Sequence, residues 1–385
     1  MVFVKKYPYI IAFIITICIF ASPALAESIH VEHQISDLVK IDADFTAPEV
    51  DKASVIWLER VNLIDEAFTE KMAGILFHLD GDVSHTYFHN GSNLYTHNGT
   101  VFEDGEEICV YDTGAFHYRD IELTRRYGEV VGYVENGFMF SWAFDENLVY
   151  TEDDLMDDHE GFARDDALET AEKALRAIYE DFGAFEPRLV SQFAFTHQDC
   201  AAITEVIAKD ADRQHYYNGT EEIPGPGYNP LTIDDWNRVD DLYVLDFALE
   251  LNGIPVLTKN NVHTPTEEES FPKLTSEVCM NRGSGIYDLN TFAYRMASEE
   301  ELQDILAPDD IVKAISAYFD SIISMEKLMF TEAALEYLPI SSMSDKKTIE
   351  CIPVWRVTAD LIVGETTYND YRSYCFNAIT GELVR

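Results

Sequence analysis

The stretch Glu332-Ala333-Ala334-Leu335-Glu336-Tyr337-Leu338-Pro339, followed by Ile352-Pro353-Val354-Trp355, decides the fold. Both segments are rich in β-branched, aromatic and other apolar residues, and turn-forming residues lie between them, which is the pattern of paired strands. A third apolar run, 371–376, closes the set. Ahead of them, Ile311, Ile315, Tyr318, Phe319 and Ile322 recur at helical spacing behind Pro308, which suits the first helical turn. A helix followed by three strands is an α+β unit in which the helix covers one face of an antiparallel sheet.

The same order is expected twice more, working outward. Ala167, Ala171, Ala174, Leu175 and Ile178 predict a helix starting at Asp165 or Asp166, with Asp166 and Glu169 spaced as a capping box. Strands at 189–196 and 242–251, a short helix at 202–208, an Asn252-Gly253 turn and a hairpin around Arg282-Gly283-Ser284-Gly285 follow. Nearer the N-terminus, 39–45 and 55–61 read as strands and 70–78 as a short helix capped by Thr69. Residues 83–150 read as a meander of five or six strands, punctuated by Asn90-Gly91, Asn98-Gly99, Asp104-Gly105 and Asn136-Gly137. The expected division is a leader at 1–26, an α+β domain with the meander at 27–150, a central unit at 151–300 and a C-terminal unit at 301–385.

Lys5 and Lys6, the apolar run 9–20 and Ala24-Leu25-Ala26 have the layout of an export signal cut before Glu27. Pro23 ends the run short of the roughly 20 residues that a membrane span needs. The expected location is therefore secreted or cell-surface, with membrane attachment only through an uncleaved signal. The chain carries 27 basic and 70 acidic residues, a net charge of −43, which repels nucleic acid and anionic lipid. The partner classes left open are a cell-envelope protein and a cationic ligand. Outside the leader, Cys109, Cys200, Cys279, Cys351 and Cys375 remain. Cys351 and Cys375 lie on adjacent predicted strands and form the best candidate disulfide, although spacing does not fix connectivity.

Motifs that carry chemistry are few. Asp112-Thr113-Gly114 is the pattern of an aspartic protease, but no second copy is present, and the tripeptide is ordinary turn chemistry. His78, Asp80, Asp82, His85 and His89 cluster as histidine and carboxylate ligands do, without a His-Glu-x-x-His spacing. Asp153, Asp154, Asp157, Asp158 and Glu160 lack the glycine and spacing of a calcium loop. Asn90, Asn98 and Asn218 fit the glycosylation pattern and equally fit turns. No P-loop, dinucleotide fingerprint or Gly-x-Ser-x-Gly is present. No catalytic residue, cofactor-binding residue or metal ligand is assigned.

The segment 39–48, the helix at Asp165, the run 247–256 and the closing strands with Thr380-Gly381-Glu382 resemble a family of uncharacterised exported proteins of anaerobic Gram-positive bacteria, many of them lipoproteins. The C-terminal half is similar to YycH/YycI-type extracytoplasmic regulators. That resemblance implies an α+β scaffold of two or three consecutive PepSY-like units and carries over no catalytic residue. The Ala24-Leu25-Ala26 site and the lack of a lipobox depart from both groups. The expected function is an exported, non-enzymatic binding or regulatory protein. The alternatives are a secreted hydrolase with an acidic site, for which Asp112 is the one nameable candidate, and a cell-envelope structural protein.

Overall fold

A computed structural model describes residues 27–78, 86–99, 104–139, 159–183, 185–211, 215–218, 221–224, 233, 235–258, 269–270, 272, 274–322, 326–342, 348–364 and 366–384. The leader, the acidic stretch 151–158, and Asp80, Asp82 and His85 lie outside them.

In chain order the strands of the first third are β1 (Glu27–Gln34), β2 (Val39–Ala47), β3 (Lys52–Ala53), β4 (Ile56–Arg60), β5 (Thr86–Asn90), β6 (Asn93–His97), β7 (Glu106–Tyr111) and β8 (Ala115–Asp120). The middle contributes β9 (Glu186–Phe195), β10 (His215–Asn218), β11 (Glu221–Pro224), β12 (Leu242–Leu251), β13 (Ile254–Pro255), β14 (Glu269–Ser270), β15 (Thr275–Asn281), β16 (Gly285–Phe292) and β17 (Tyr294–Glu299). β18 (Gln303–Asp304), β19 (Lys327–Ser342), β20 (Thr348–Val363) and β21 (Thr366–Asn377) complete the set. The α-helices are α1 (Glu66–Leu76), α2 (Ile121–Met139), α3 (Arg164–Tyr179), α4 (His197–Ala211) and α5 (Pro308–Ser321).

The fold is α+β and dominated by two open sheets. The eight-stranded sheet is centred on the long β19–β20 hairpin. β2 lies parallel to β19, so this sheet is mixed rather than antiparallel throughout. β4 and β21 share the other side of β20, one at each end. The nine-stranded sheet runs β13-β12-β15-β16-β8-β7-β6-β5, with β9 also paired to β12. The sheets do not follow the consecutive division at residues 150 and 300. The first takes β1, β2 and β4 from the start of the chain and β19 to β21 from its end.

Two links make the sheets one body. β16 and β17 are separated by Ala293 alone, so one extended run pairs with β8 in one sheet and β4 in the other. Val256 bridges to Tyr337, and the Leu257 N–H donates to the Tyr337 carbonyl at 2.9 Å. A single core spans both sheets. It takes Phe45, Phe330, Trp355 and Phe376 from the first, with Ile311, Ile315 and Phe319 of α5. From the second it takes Ile108, Tyr118, Leu245 and Phe247, with Met72 and Leu76 of α1 and Ala171, Leu175 and Ile178 of α3. Burial of this apolar area is the main favourable contribution to folding.

Local signals account for most elements. α5 begins at Pro308, whose missing N–H costs nothing there. α1 is capped by Asp65, whose side chain accepts from the Phe68 N–H, one turn earlier than Thr69 would place it. The Asp166 capping box does not form, because α3 already starts at Arg164 behind Ala163. The meander stops at β8. Residues 121–139, rich in Val and Tyr, are helical because Tyr127, Val130 and Val131 fall on one face and bury against a second cluster under the nine-stranded sheet.

Cys351 and Cys375 are not bonded. Cys351 faces the main core, while Cys375 packs on the opposite face with Leu338 and Val354. Side chains on opposite faces of a sheet cannot be bridged without moving the backbone. Trp355 is core: it is 2% exposed, lies 5.6 Å from the Phe45 ring and donates Nε1–H to the Leu306 carbonyl.

Candidate ligand-binding face

The two faces of the nine-stranded sheet differ. Along β7 and β8, Ile108, Val110, Phe116 and Tyr118 point into the main core, so Glu107, Cys109, His117 and Arg119 point outward. At one end of that outer face, α2 and α4 cover Leu242, Val244, Cys279 and Tyr287 with Tyr127, Val130, Cys200 and Ile203.

Strand register then places the remaining outward residues in rows across the sheet. One row holds His97, Glu107, Arg119 and Asp288, successive partners on β6, β7, β8 and β16. Glu107 and Arg119 are matched inside the row. Arg119 Nη2 lies 2.5 Å from Glu107 Oε1, and His97 Nδ1 lies 3.5 Å from Glu107 Oε2. Burial pushes the His97 pKa down, which keeps that ring neutral.

The next row, one step further from α2 and α4, crosses every strand of the sheet except β13. Phe88 partners Tyr95, which partners Cys109, which partners His117. Asn290, Glu277, Asp246 and Ser191 continue it through β16, β15, β12 and β9. With strands about 4.8 Å apart, the row is about 34 Å long. Phe88 and Asn290 are exposed, and Tyr95, His117, Glu277, Asp246 and Ser191 are half-buried. The polar groups are held in place. Ser191 Oγ donates to Asp246 Oδ2 at 2.6 Å, and Asn290 Nδ2 donates to Asp288 Oδ1 at 3.0 Å. His117 Nε2 stands 3.6 Å from Asp288 Oδ1. Burial pushes the Cys109 thiol up, which disfavours the thiolate a nucleophile needs. The row offers fixed acceptors, one amide and a run of aromatic surface, and these are the components of a binding face.

The positions singled out by sequence fall elsewhere. Asp112 is exposed in the β7–β8 turn. Gly114 in that turn has φ +84°, and a Cβ there would stand 2.6 Å from the Ala293 carbonyl oxygen. The tripeptide is thus shaped by the joint between the sheets, where the Ala293 N–H donates to the Gly114 carbonyl at 2.7 Å. His78 and His89 turn to different partners, Glu106 and Glu66. Glu106 is buried at the end of α1. Burial pushes its carboxyl up, but the His78 ring and backbone N–H, Asn98 and Tyr118 together hold it below the usual range. Among the described residues, no group of three or more His, Cys, Asp or Glu side chains is placed to hold a metal ion.

Sequence reading missed this row. Its signal was the alternation of Cys109 and Tyr111 with Ile108 and Val110, and of His117 and Arg119 with Phe116 and Tyr118. That pattern gives one polar face, but not the strands from residues 186–292 that extend it.

No protein-family model and no curated protein matches the chain. Its fold is similar to the crystal structure of an uncharacterized protein from Eubacterium rectale ATCC 33656, with a TM-score of 0.55 and 15% identity over 92% of this chain and 93% of that one. At that identity the likeness concerns the fold alone.

Proposed function

We propose that the protein is an exported, non-enzymatic binding or regulatory protein of the extracytoplasmic space, and that its partner sits on the outer face of the nine-stranded sheet. The observation that carries this reading is the row from Phe88 to Ser191, polar and aromatic on either side of the buried Cys109, and built from cross-strand partners rather than from loops. A core face would not place Asn290, Glu277 and Asp246 side by side. The layout of residues 1–26, read as an export signal, supports the compartment. The helix-then-three-strands order of α5 and β19 to β21 supports the finer reading of the C-terminal part as a PepSY-like unit of the YycH/YycI type.

The test is site-specific photocrosslinking in the producing cell. A benzophenone amino acid at Asn290 is expected to give a discrete adduct that the same probe at Leu302, exposed elsewhere, does not give. Identical patterns at the two positions, or no adduct at Asn290, would overturn the assignment of the face.

A further inference from the structure

We propose that β1 is a self-association edge. Two copies of the chain pair their β1 strands antiparallel about a two-fold axis at Val31, which joins their eight-stranded sheets into one. This inference stands apart from the binding face above and does not depend on it.

Backbone direction is the first ground. β1 ends the eight-stranded sheet, and among the described residues β2 is the strand it pairs with. The Ile35 N–H donates to the Val39 carbonyl at 3.0 Å, whereas the Leu38 carbonyl turns the other way and accepts from the Leu328 N–H of β19 at 2.8 Å. The odd-numbered residues of β1 therefore bond to β2, and the N–H and C=O groups of Ser28, His30, Glu32 and Gln34 point off the edge. Residues 28–30 and 32–34 are exposed. Sheet edges are commonly blunted by short length, proline, a bulge or a basic residue. β17 has Arg295 and a register slip, β9 has Pro187, Arg188 and a slip, and β13 has two residues. β1 runs for eight residues in unbroken register with β2 and contains no proline, lysine or arginine.

Self-complementarity is the second ground, and it selects a second copy as the occupant. Ile29, Val31 and His33 share the face of Phe45, Ala43 and Ile41, which point into the core, and Ser28, His30, Glu32 and Gln34 share the polar face. With the axis at Val31, that side chain meets Val31 of the partner subunit. Ile29, 46% exposed, then lies opposite the partner's His33 and diagonal to the partner's Val31. On the polar face His30 lies opposite the partner's Glu32, twice by symmetry, so an imidazole N–H meets a carboxylate on each side of the axis. An axis at His30 would set ring against ring, and one at Glu32 would set two carboxylates against each other. An axis between residues would place outward-pointing backbone groups opposite inward-pointing ones. The net charge of −43 on each chain opposes association at long range, but physiological salt screens that repulsion beyond about 8 Å. The seam holds about eight backbone hydrogen bonds over a small area, which is the class of a weak, reversible pair.

The test is sedimentation of protein recovered from the producing cell, combined with disulfide trapping. A monomer–dimer equilibrium in the micromolar range is expected at about 150 mM salt, weakening at about 10 mM as screening is lost. His30→Pro removes an outward N–H and leaves the bonds to β2 in place, so dimerisation should weaken at least roughly tenfold while the urea midpoint is kept. Val31→Cys, at a self-pair without hydrogen bonds, should oxidise to a linked dimer much faster than Leu302→Cys, exposed elsewhere. A protein that stays monomeric to several hundred micromolar would overturn the inference. So would a dimer that His30→Pro leaves unchanged, equal crosslinking at positions 31 and 302, or faster crosslinking of His30→Cys or Glu32→Cys than of Val31→Cys.

Discussion

Replacing Arg356 by methionine should destabilise the protein by about 3 kcal/mol, most of it from the carboxylates left behind. Arg356 lies in the outer face of the eight-stranded sheet and is 2% exposed. Its Nε donates to Glu336 Oε2 at 2.6 Å, its Nη2 to Glu332 Oε1 at 2.8 Å and its Nη1 to the Thr358 hydroxyl. Methionine keeps most of the stem volume, so cavity formation adds little. Removing one member of a buried ion pair costs about 3–5 kcal/mol, because the remaining charge is unpaired and poorly hydrated. Glu336 is mostly buried and bears this penalty, whereas Glu332, 40% exposed, can rehydrate, which brings the figure to the low end. Urea unfolding followed by tryptophan fluorescence reads the loss as a midpoint shift of about 1 M for an m value near 3 kcal/mol per M. In a Glu332→Gln, Glu336→Gln background Arg356 is itself the unpaired buried charge, so the same substitution should be neutral or stabilising. An equal cost in both backgrounds would refute the electrostatic account, as would a cost below about 0.5 kcal/mol in the parent.

The depressed pKa of Glu106 makes stability depend on acid. Because the folded value lies below the unfolded one, the contribution is complete above the unfolded carboxyl range and is lost as pH falls through the folded value. Glu106→Gln should therefore show its largest deficit in urea midpoint near neutral pH, narrowing below about pH 4.5; a deficit that widens on acidification would contradict the assignment. All five described thiols are buried and unbonded, so a thiol reagent should label Cys109, Cys200, Cys279, Cys351 and Cys375 only at the rate of unfolding. A Cys351–Cys375 crosslinked peptide from native protein would exclude the strand register found for β20 and β21.

Much of the fold was legible wherever the pattern is local. β2, β12, β15, β19 and β20 carry their apolar periodicity openly, and α3 and α5 show helical spacing. β1 was hidden because it exposes His30 and Glu32, beside Asp42 of β2, rather than an apolar face. α2 was misread because aromatic and β-branched residues favour strands until tertiary burial decides otherwise. The site was the least legible part. Each strand shows which of its residues share a face, but a row that joins Tyr95 to Asp246 depends on pairings between distant segments, which no local period encodes.

The make-up of the eight-stranded sheet governs the order in which a growing chain can be finished. β2 finds its inner neighbour only in β19, and β4 finds both of its neighbours in β17 and β20, so the first strands synthesised wait for the last. Until the final segment appears, Val39, Ile41, Ile56 and Leu58 lack the central β19–β20 hairpin that completes their sheet. The molecule therefore stays unfinished for nearly the whole of its synthesis, and a chain cut short before β19 should be a substrate for chaperones and proteases rather than a smaller working protein.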